Sequence, residues 1–191
     1  MPYKNPIHTI WTYLKMKKTN LAIILILVIS LAAAYGYRKY TQREPVFNLG
    51  NIGQQAPDFI LPSLKGGDLK LADYKGKLVL LNFWASWCGP CRAEIPDFIK
   101  VQNAYKDKNF TIVGLALEDK KSAAIFVEEV KINYPIAYGL EPAHKIAGAY
   151  GDPDGALPYS VLISPDQKIL AVYTGFLSEE KLIKVIEKHL D

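Results

Sequence analysis

Two cysteines in 191 residues are too few for a disulfide scaffold or for a four-cysteine zinc site. The three histidines, His8, His144 and His189, are scattered and add no second pair of soft ligands, so no metal centre is expected. No internal repeat or low-complexity tract is present, which argues against a solenoid. The chain also lacks a basic surface where one would be needed for nucleic acid. Residues 1–44 carry seven Lys/Arg against a single Glu, whereas residues 45–191 carry sixteen Lys/Arg against eighteen Asp/Glu. The basic character therefore belongs to the N-terminal segment, and the remainder has no electrostatic footprint for a polyanion. Half the residues are hydrophobic and 22% are charged, which excludes long-range disorder.

One long apolar run is present. Thr19 to Tyr37 contains no charge, and Leu21 to Ala34 is nearly all aliphatic. About twenty helical residues cross a hydrocarbon core of roughly 30 Å. Trp11 and Tyr13 precede the run, and Tyr35, Tyr37 and Tyr40 close it, where interfacial aromatics collect. The expected organisation is a cytoplasmic N-terminus at 1–19, a transmembrane signal anchor at 20–37, a linker at 38–49 and a folded domain at 50–191. Ala32-Ala33-Ala34 offers the other reading, a cleaved secretory signal. Four lysines before the run and three basic residues after it favour the N-terminus inside, so either reading exports the domain.

The domain alternates strand and helix patterns. Phe59–Leu61 and Asp68–Leu71 flank a Gly66-Gly67 turn, which predicts a small hairpin. Leu78–Trp84 is a near-continuous apolar run of the kind covered on both faces. A helix over Pro90–Lys106, a strand over Phe110–Leu117, a helix over Lys121–Lys131, a short strand over Pro135–Tyr138 and a short helix over Ala143–Tyr150 follow. Strands at Tyr159–Ser164 and Lys168–Thr174 flank a Pro165-Asp166 turn, and Ser178 caps a final helix. This order predicts an α/β fold, a mixed central sheet with helices on its faces.

The chemistry is carried by Trp87-Cys88-Gly89-Pro90-Cys91, between a buried strand and a helix. Thiols at i and i+3 across a first helical turn can close a disulfide without backbone movement. The unpaired N–H groups and positive dipole end of the helix stabilise a thiolate there. Cys88, at the exposed lip, is the candidate nucleophile, and Cys91, one turn in, is the resolving thiol. Pro90 suits the first turn, where its missing N–H has no helical partner. A static disulfide in a binding module is the bland alternative. Trp84 and Trp87 are expected to pack beside the motif and shape its rim. Glu118, after the second buried strand, is expected to be a solvated loop charge.

The run Phe83-Trp84-Ala85-Ser86-Trp87-Cys88-Gly89-Pro90-Cys91-Arg92-Ala93-Glu94-Ile95-Pro96 resembles the active site of the thioredoxin superfamily. It is most similar to the TlpA/ResA branch, membrane-anchored extracytoplasmic thiol–disulfide oxidoreductases of bacteria. Gly53-Gln54-Gln55-Ala56-Pro57-Asp58-Phe59 resembles the entry segment that this branch shares with peroxiredoxins of the AhpC/TSA type. The resemblance implies a thioredoxin-like fold with an N-terminal β-hairpin extension, no cofactor, and a single-pass protein of the bacterial inner membrane whose catalytic domain faces the periplasm or cell exterior. It implies that Leu157-Pro158 carries the fold's cis-proline opposite the redox pair, with Trp87 and Pro158 bordering the substrate surface. Gly175 resembles the glycine after the last strand near the site.

Glu94, three residues beyond Cys91, matches a glutamate that tunes and deprotonates the thiols in this branch; otherwise it complements the helix dipole. Asn82 stands where thioredoxin has a buried acid. Departures from the pattern are the longer stretch Asp152–Ala156 before Leu157-Pro158 and Tyr159-Ser160, which stands where the family often has a threonine. Implied partners are disulfides of exported proteins, as in cytochrome c maturation, and a membrane thiol–disulfide electron donor drawing on cytosolic thioredoxin. Gly-Pro between the cysteines resembles thioredoxin, near −270 mV, and not the strong oxidants at about −120 mV. A peroxiredoxin-like peroxidase is the alternative, although that class has threonine three residues before its cysteine and Ala85 stands there. An oxidase or isomerase also stays open.

Overall fold

The computed structural model describes residues 23–36 and 51–190, which belong to separate units. Residues 23–36 form a helix, α1, exposed along its whole length. Among the described residues no helix is long and apolar enough to cross a membrane. The ends of the 20–37 run, the 1–19 leader and the 38–49 linker lie outside the described residues.

The second unit is built on β3 (Leu78–Trp84), all seven residues of which are buried. It pairs in parallel with β4 (Phe110–Ala116), which pairs in parallel with β5 (Ile136–Tyr138). On its other side β3 runs antiparallel to β6 (Tyr159–Ile163), itself antiparallel to β7 (Ile169–Thr174). The order β5-β4-β3-β6-β7 is thus a mixed sheet. A separate hairpin joins β1 (Ile60–Pro62) and β2 (Asp68–Lys70) through Leu61↔Leu69.

Strand alternation divides the core. Leu78, Leu80 and Trp84 face one side with residues of α2 (Gly89–Tyr105), α3 (Lys120–Val130) and α5 (Glu179–Glu187). Val79, Leu81 and Phe83 face the other, with the hairpin leucines and α4 (Leu140–Ala149). Both faces are covered, which is why β3 reads as a continuous apolar run. Each fully buried leucine or phenylalanine contributes roughly 1.5–3 kcal/mol of transfer free energy. Glycine is required at Gly114 on β4. A Cβ there would stand 2.5 Å from Ile136 Cδ1 and 2.8 Å from Trp84 Nε1, so the indole occupies the space a side chain would take.

Caps set the helix starts. Asp119 accepts from the N–H groups of Lys121 and Ser122, and Ser178 accepts from Lys181 N–H. Two expectations shift. Leu71 opens a 3₁₀ turn, Leu71–Tyr74, and does not continue the hairpin strand. Helix α4 starts at Leu140, three residues ahead of the expected Ala143. Pro142 masked that start, yet a proline in the first turn removes only an N–H that has no helical partner.

Candidate active site

The strand β3 ends at Trp84, and four residues later Cys88 caps α2. Extended backbone at Cys88 (φ −81°, ψ 107°) turns its Sγ back to accept from Cys91 N–H at 3.2 Å. Gly89 and Pro90 fill the first two helical positions, where no intrahelical acceptor is needed. Cys88 and Cys91 form a disulfide with Cα atoms 5.3 Å apart. The expected pair is therefore assembled, but the exposed lip expected for Cys88 is corrected: with the disulfide closed Cys88 is buried too, keeping 5% of its surface, while Cys91 is sealed from solvent.

The turn before Cys88 is gripped from two sides. Glu118 accepts from Ser86 N–H at 3.0 Å and from Ser86 Oγ at 2.6 Å, and it is buried. The expectation of a solvated charge at Glu118 is thereby corrected. β3 and β4 pair to their ends, Trp84 opposite Ala116, and Leu117 N–H donates to Trp84 C=O at 2.8 Å. One more residue brings Glu118 alongside Ser86. Arg92 donates to Ser86 C=O at 3.3 Å and to Glu129 at 3.2 Å, with its guanidinium 4.6 Å from the centre of the Phe126 ring. The two tryptophans separate. Trp84 is buried against Phe126, as expected of a packing residue, whereas Trp87 is 70% exposed. Trp87 thus stands out from the rim instead of packing, along a depression of about 310 Å³ that Arg92, Ile125 and Phe126 also line.

Beneath the disulfide Glu94 is fully buried. Its place three residues after Cys91 turns it toward β3 and away from solvent. Asn82 Nδ2 donates to Oε1 at 3.0 Å and Leu177 N–H to Oε2 at 3.0 Å. Burial pushes the carboxyl up to about 8; the two donated hydrogen bonds pull the other way and are outweighed. A group balanced there can hold or release a proton near neutral pH.

The resemblance alone gives Asn82 no role beyond standing in place of an acid. Asn82 supports Glu94 and also donates to Ser160 Oγ at 3.0 Å. The signal was present in the alternation Leu78, Leu80, Asn82, Trp84, which puts an amide on the helix-facing side of β3. Tyr134 completes the buried polar set. Its hydroxyl has no hydrogen-bond partner. Burial raises its pKa most, and the nearby Glu94 charge adds to the rise.

The Leu157–Pro158 peptide is cis, and Pro158 C=O accepts from Gly175 N–H at 2.8 Å. Gly175 has φ +89°, a conformation that favours glycine. Phe83 opposite Tyr159 places Pro158 at the end of the sheet where β3 leaves for the redox turn. The Pro158 side chain is buried. The longer stretch before it is a loop closed by Asp152, whose Oδ1 accepts from Ala156 N–H at 3.0 Å.

The AhpC/TSA family pattern matches residues 52–172. The chain is similar to the thiol–disulfide oxidoreductase ResA of Bacillus thuringiensis (strain Al Hakam), 34% identical over 91% of this chain and 98% of the relative. It is similar to ResA of Geobacillus kaustophilus, 33% identical over 92% of this chain and 97% of the relative. Among solved structures it resembles the thioredoxin domain of a Bacteroides vulgatus thiol–disulfide oxidoreductase: TM-score 0.66, 31% identity, 73% of this chain and 98% of that one. It also resembles a DsbF homologue from Corynebacterium diphtheriae: TM-score 0.67, 30% identity, 77% of this chain and 94% of that one. The chain belongs to the AhpC/TSA family and is a thioredoxin-like thiol–disulfide oxidoreductase of the ResA type.

Proposed function

We propose that the protein reduces disulfides of exported proteins from an anchored position on the outer side of the cytoplasmic membrane. The observation that carries this reading is the unequal pair: Cys88 at the start of α2, Cys91 sealed one turn in, and Glu94 fully buried three residues beyond Cys91 on the same helix. The anchor rests on the charge-free run from Thr19 to Tyr37 and its aromatic flanks.

In the reduced protein the Cys88 thiolate attacks one sulfur of a substrate disulfide. A mixed disulfide forms, and the second substrate sulfur leaves as a thiolate that takes a proton. Cys91 then attacks Cys88 Sγ, with the Glu94 carboxylate receiving the Cys91 proton. The substrate sulfur still joined to Cys88 leaves as a thiolate and takes a proton, and the enzyme keeps the Cys88–Cys91 disulfide. Two electrons have passed to the substrate. A membrane dithiol donor restores them by the same exchange in reverse. Trp87, adjacent to Cys88 in the chain, offers an exposed apolar contact for a substrate.

The test is trapping. Full-length protein with Cys91→Ser, expressed in the native host, should accumulate in the membrane fraction joined to exported cysteine-containing proteins by bonds that dithiothreitol cleaves. Protein recovered from the soluble fraction, or free of such adducts, would contradict the proposal.

A further inference from the structure

Behind the redox pair lies a polar contact that the exchange steps do not use. Asn82 and Ser160 are cross-strand partners on β3 and β6, and both are buried. Asn82 Nδ2 donates to Glu94 Oε1 and to Ser160 Oγ, while Asn82 Oδ1 has no hydrogen-bond partner. An orphaned buried acceptor is costly, so this orientation must be held by what the amide nitrogen gains. Turned over, the amide would set Oδ1 against the Glu94 carboxylate, acceptor against acceptor. A protonated Glu94 reverses the preference, because its O–H donates and Oδ1 can accept. Ser160 Oγ accepts from the same nitrogen, so the orientation seen gives the amide N–H groups two acceptors at once.

We propose that Asn82 and Ser160 are positioning residues for Glu94: from across the sheet, Ser160 holds the nitrogen end of the Asn82 amide toward the carboxyl group and so sets how tightly Glu94 keeps its proton. The proposal rests on the reading that Glu94 handles the thiol proton. With the nitrogen facing Glu94, the carboxylate form is favoured. Without the Ser160 hydroxyl, the amide is free to turn and to accept from the protonated acid, which tightens the hold on the proton. The other groups facing Glu94 are Leu177 N–H from the segment before α5, the Tyr134 phenol from the approach to β5, and Cys91 on its own helix, which does not titrate while the disulfide is closed.

The experiment is a carboxyl titration of Glu94 by ¹³C NMR in the oxidised full-length protein labelled at glutamate. Ser160→Ala should raise the titration midpoint by about one pH unit, a roughly tenfold tighter proton, as expected from loss of one hydrogen bond to the charged form. Ser160→Thr, which keeps a hydroxyl, should titrate like the unmodified protein. Asn82→Leu should move the midpoint in the same direction as Ser160→Ala. A Ser160→Ala midpoint equal to that of Ser160→Thr, or a lowered one, would overturn the proposal. The reading it rests on is tested separately, by the pH profile of substrate reduction in Glu94→Gln. An unchanged profile there removes Glu94 from the exchange steps, whatever the NMR midpoints do.

Discussion

Glu118 and Ser86, thirty-two positions apart in the chain, are joined by two hydrogen bonds, from the Ser86 N–H at 3.0 Å and from its hydroxyl at 2.6 Å. A carboxylate from the end of β4 thereby fixes the turn two residues ahead of Cys88. Glu118→Ala leaves both Ser86 donors without that acceptor, at a cost of about 1–3 kcal/mol. Urea unfolding should show this loss, and hydrogen exchange at the Ser86 amide should accelerate. Glu118→Gln keeps an acceptor and should recover most of the stability.

Glu94 couples stability to pH. Its folded pKa is raised from 4.5 to about 8 by burial. Such a group stabilises the fold fully below its unfolded pKa, and the contribution is lost as pH rises through the folded value. The oxidised protein should therefore lose stability between about pH 4.5 and pH 8. At about 1.4 kcal/mol per unit, the loss is on the order of a few kcal/mol. Glu94→Gln should flatten this slope. Denaturant midpoints at pH 5 and pH 9 check it; equal midpoints in the unmodified protein would contradict the buried acid.

Gly114 is a packing requirement of the same region. Gly114→Ala places a methyl against Ile136 and the Trp84 indole. Overpacking of this kind typically costs about 1–3 kcal/mol. The thermal midpoint should fall, and Trp84 fluorescence should report the displaced ring.

Peroxide turnover separates exchange from peroxidase chemistry. Ala85 stands where the peroxidases of the family place a threonine, and Cys88 already has an internal partner in Cys91. Reduced protein should reduce insulin readily while consuming hydrogen peroxide no faster than a free thiol does. Steady-state peroxide consumption well above that level would favour the peroxidase.

Much of this was legible in the sequence because it depends on local order. The apolar run Leu78–Trp84, the CxxC at a strand–helix junction and the Ser178 cap are each written in consecutive residues, and the structure places all three as read. The Leu157–Pro158 cis bond was legible only through resemblance. The contacts of Glu118 with Ser86, and of Asn82 with Glu94 and Ser160, were not legible. They depend on strand register, and a strand pattern says which residues are buried but not which ones meet. The start of α4 is hidden in the sequence for a local reason, since Pro142 reads as a breaker unless the helix begins before it. Residues 1–22 and 37–50 fall outside the described structure, so the expected anchor rests on sequence.

The most direct measurement is the acidity of the Cys88 thiol. In Cys91→Ser protein, the rate of alkylation by iodoacetamide followed against pH gives the Cys88 pKa without interference from its partner. A sulfur seated at the N-terminus of α2 should titrate clearly below the free-cysteine value of about 8.5. A value at or above 8.5 would contradict Cys88 as the attacking sulfur.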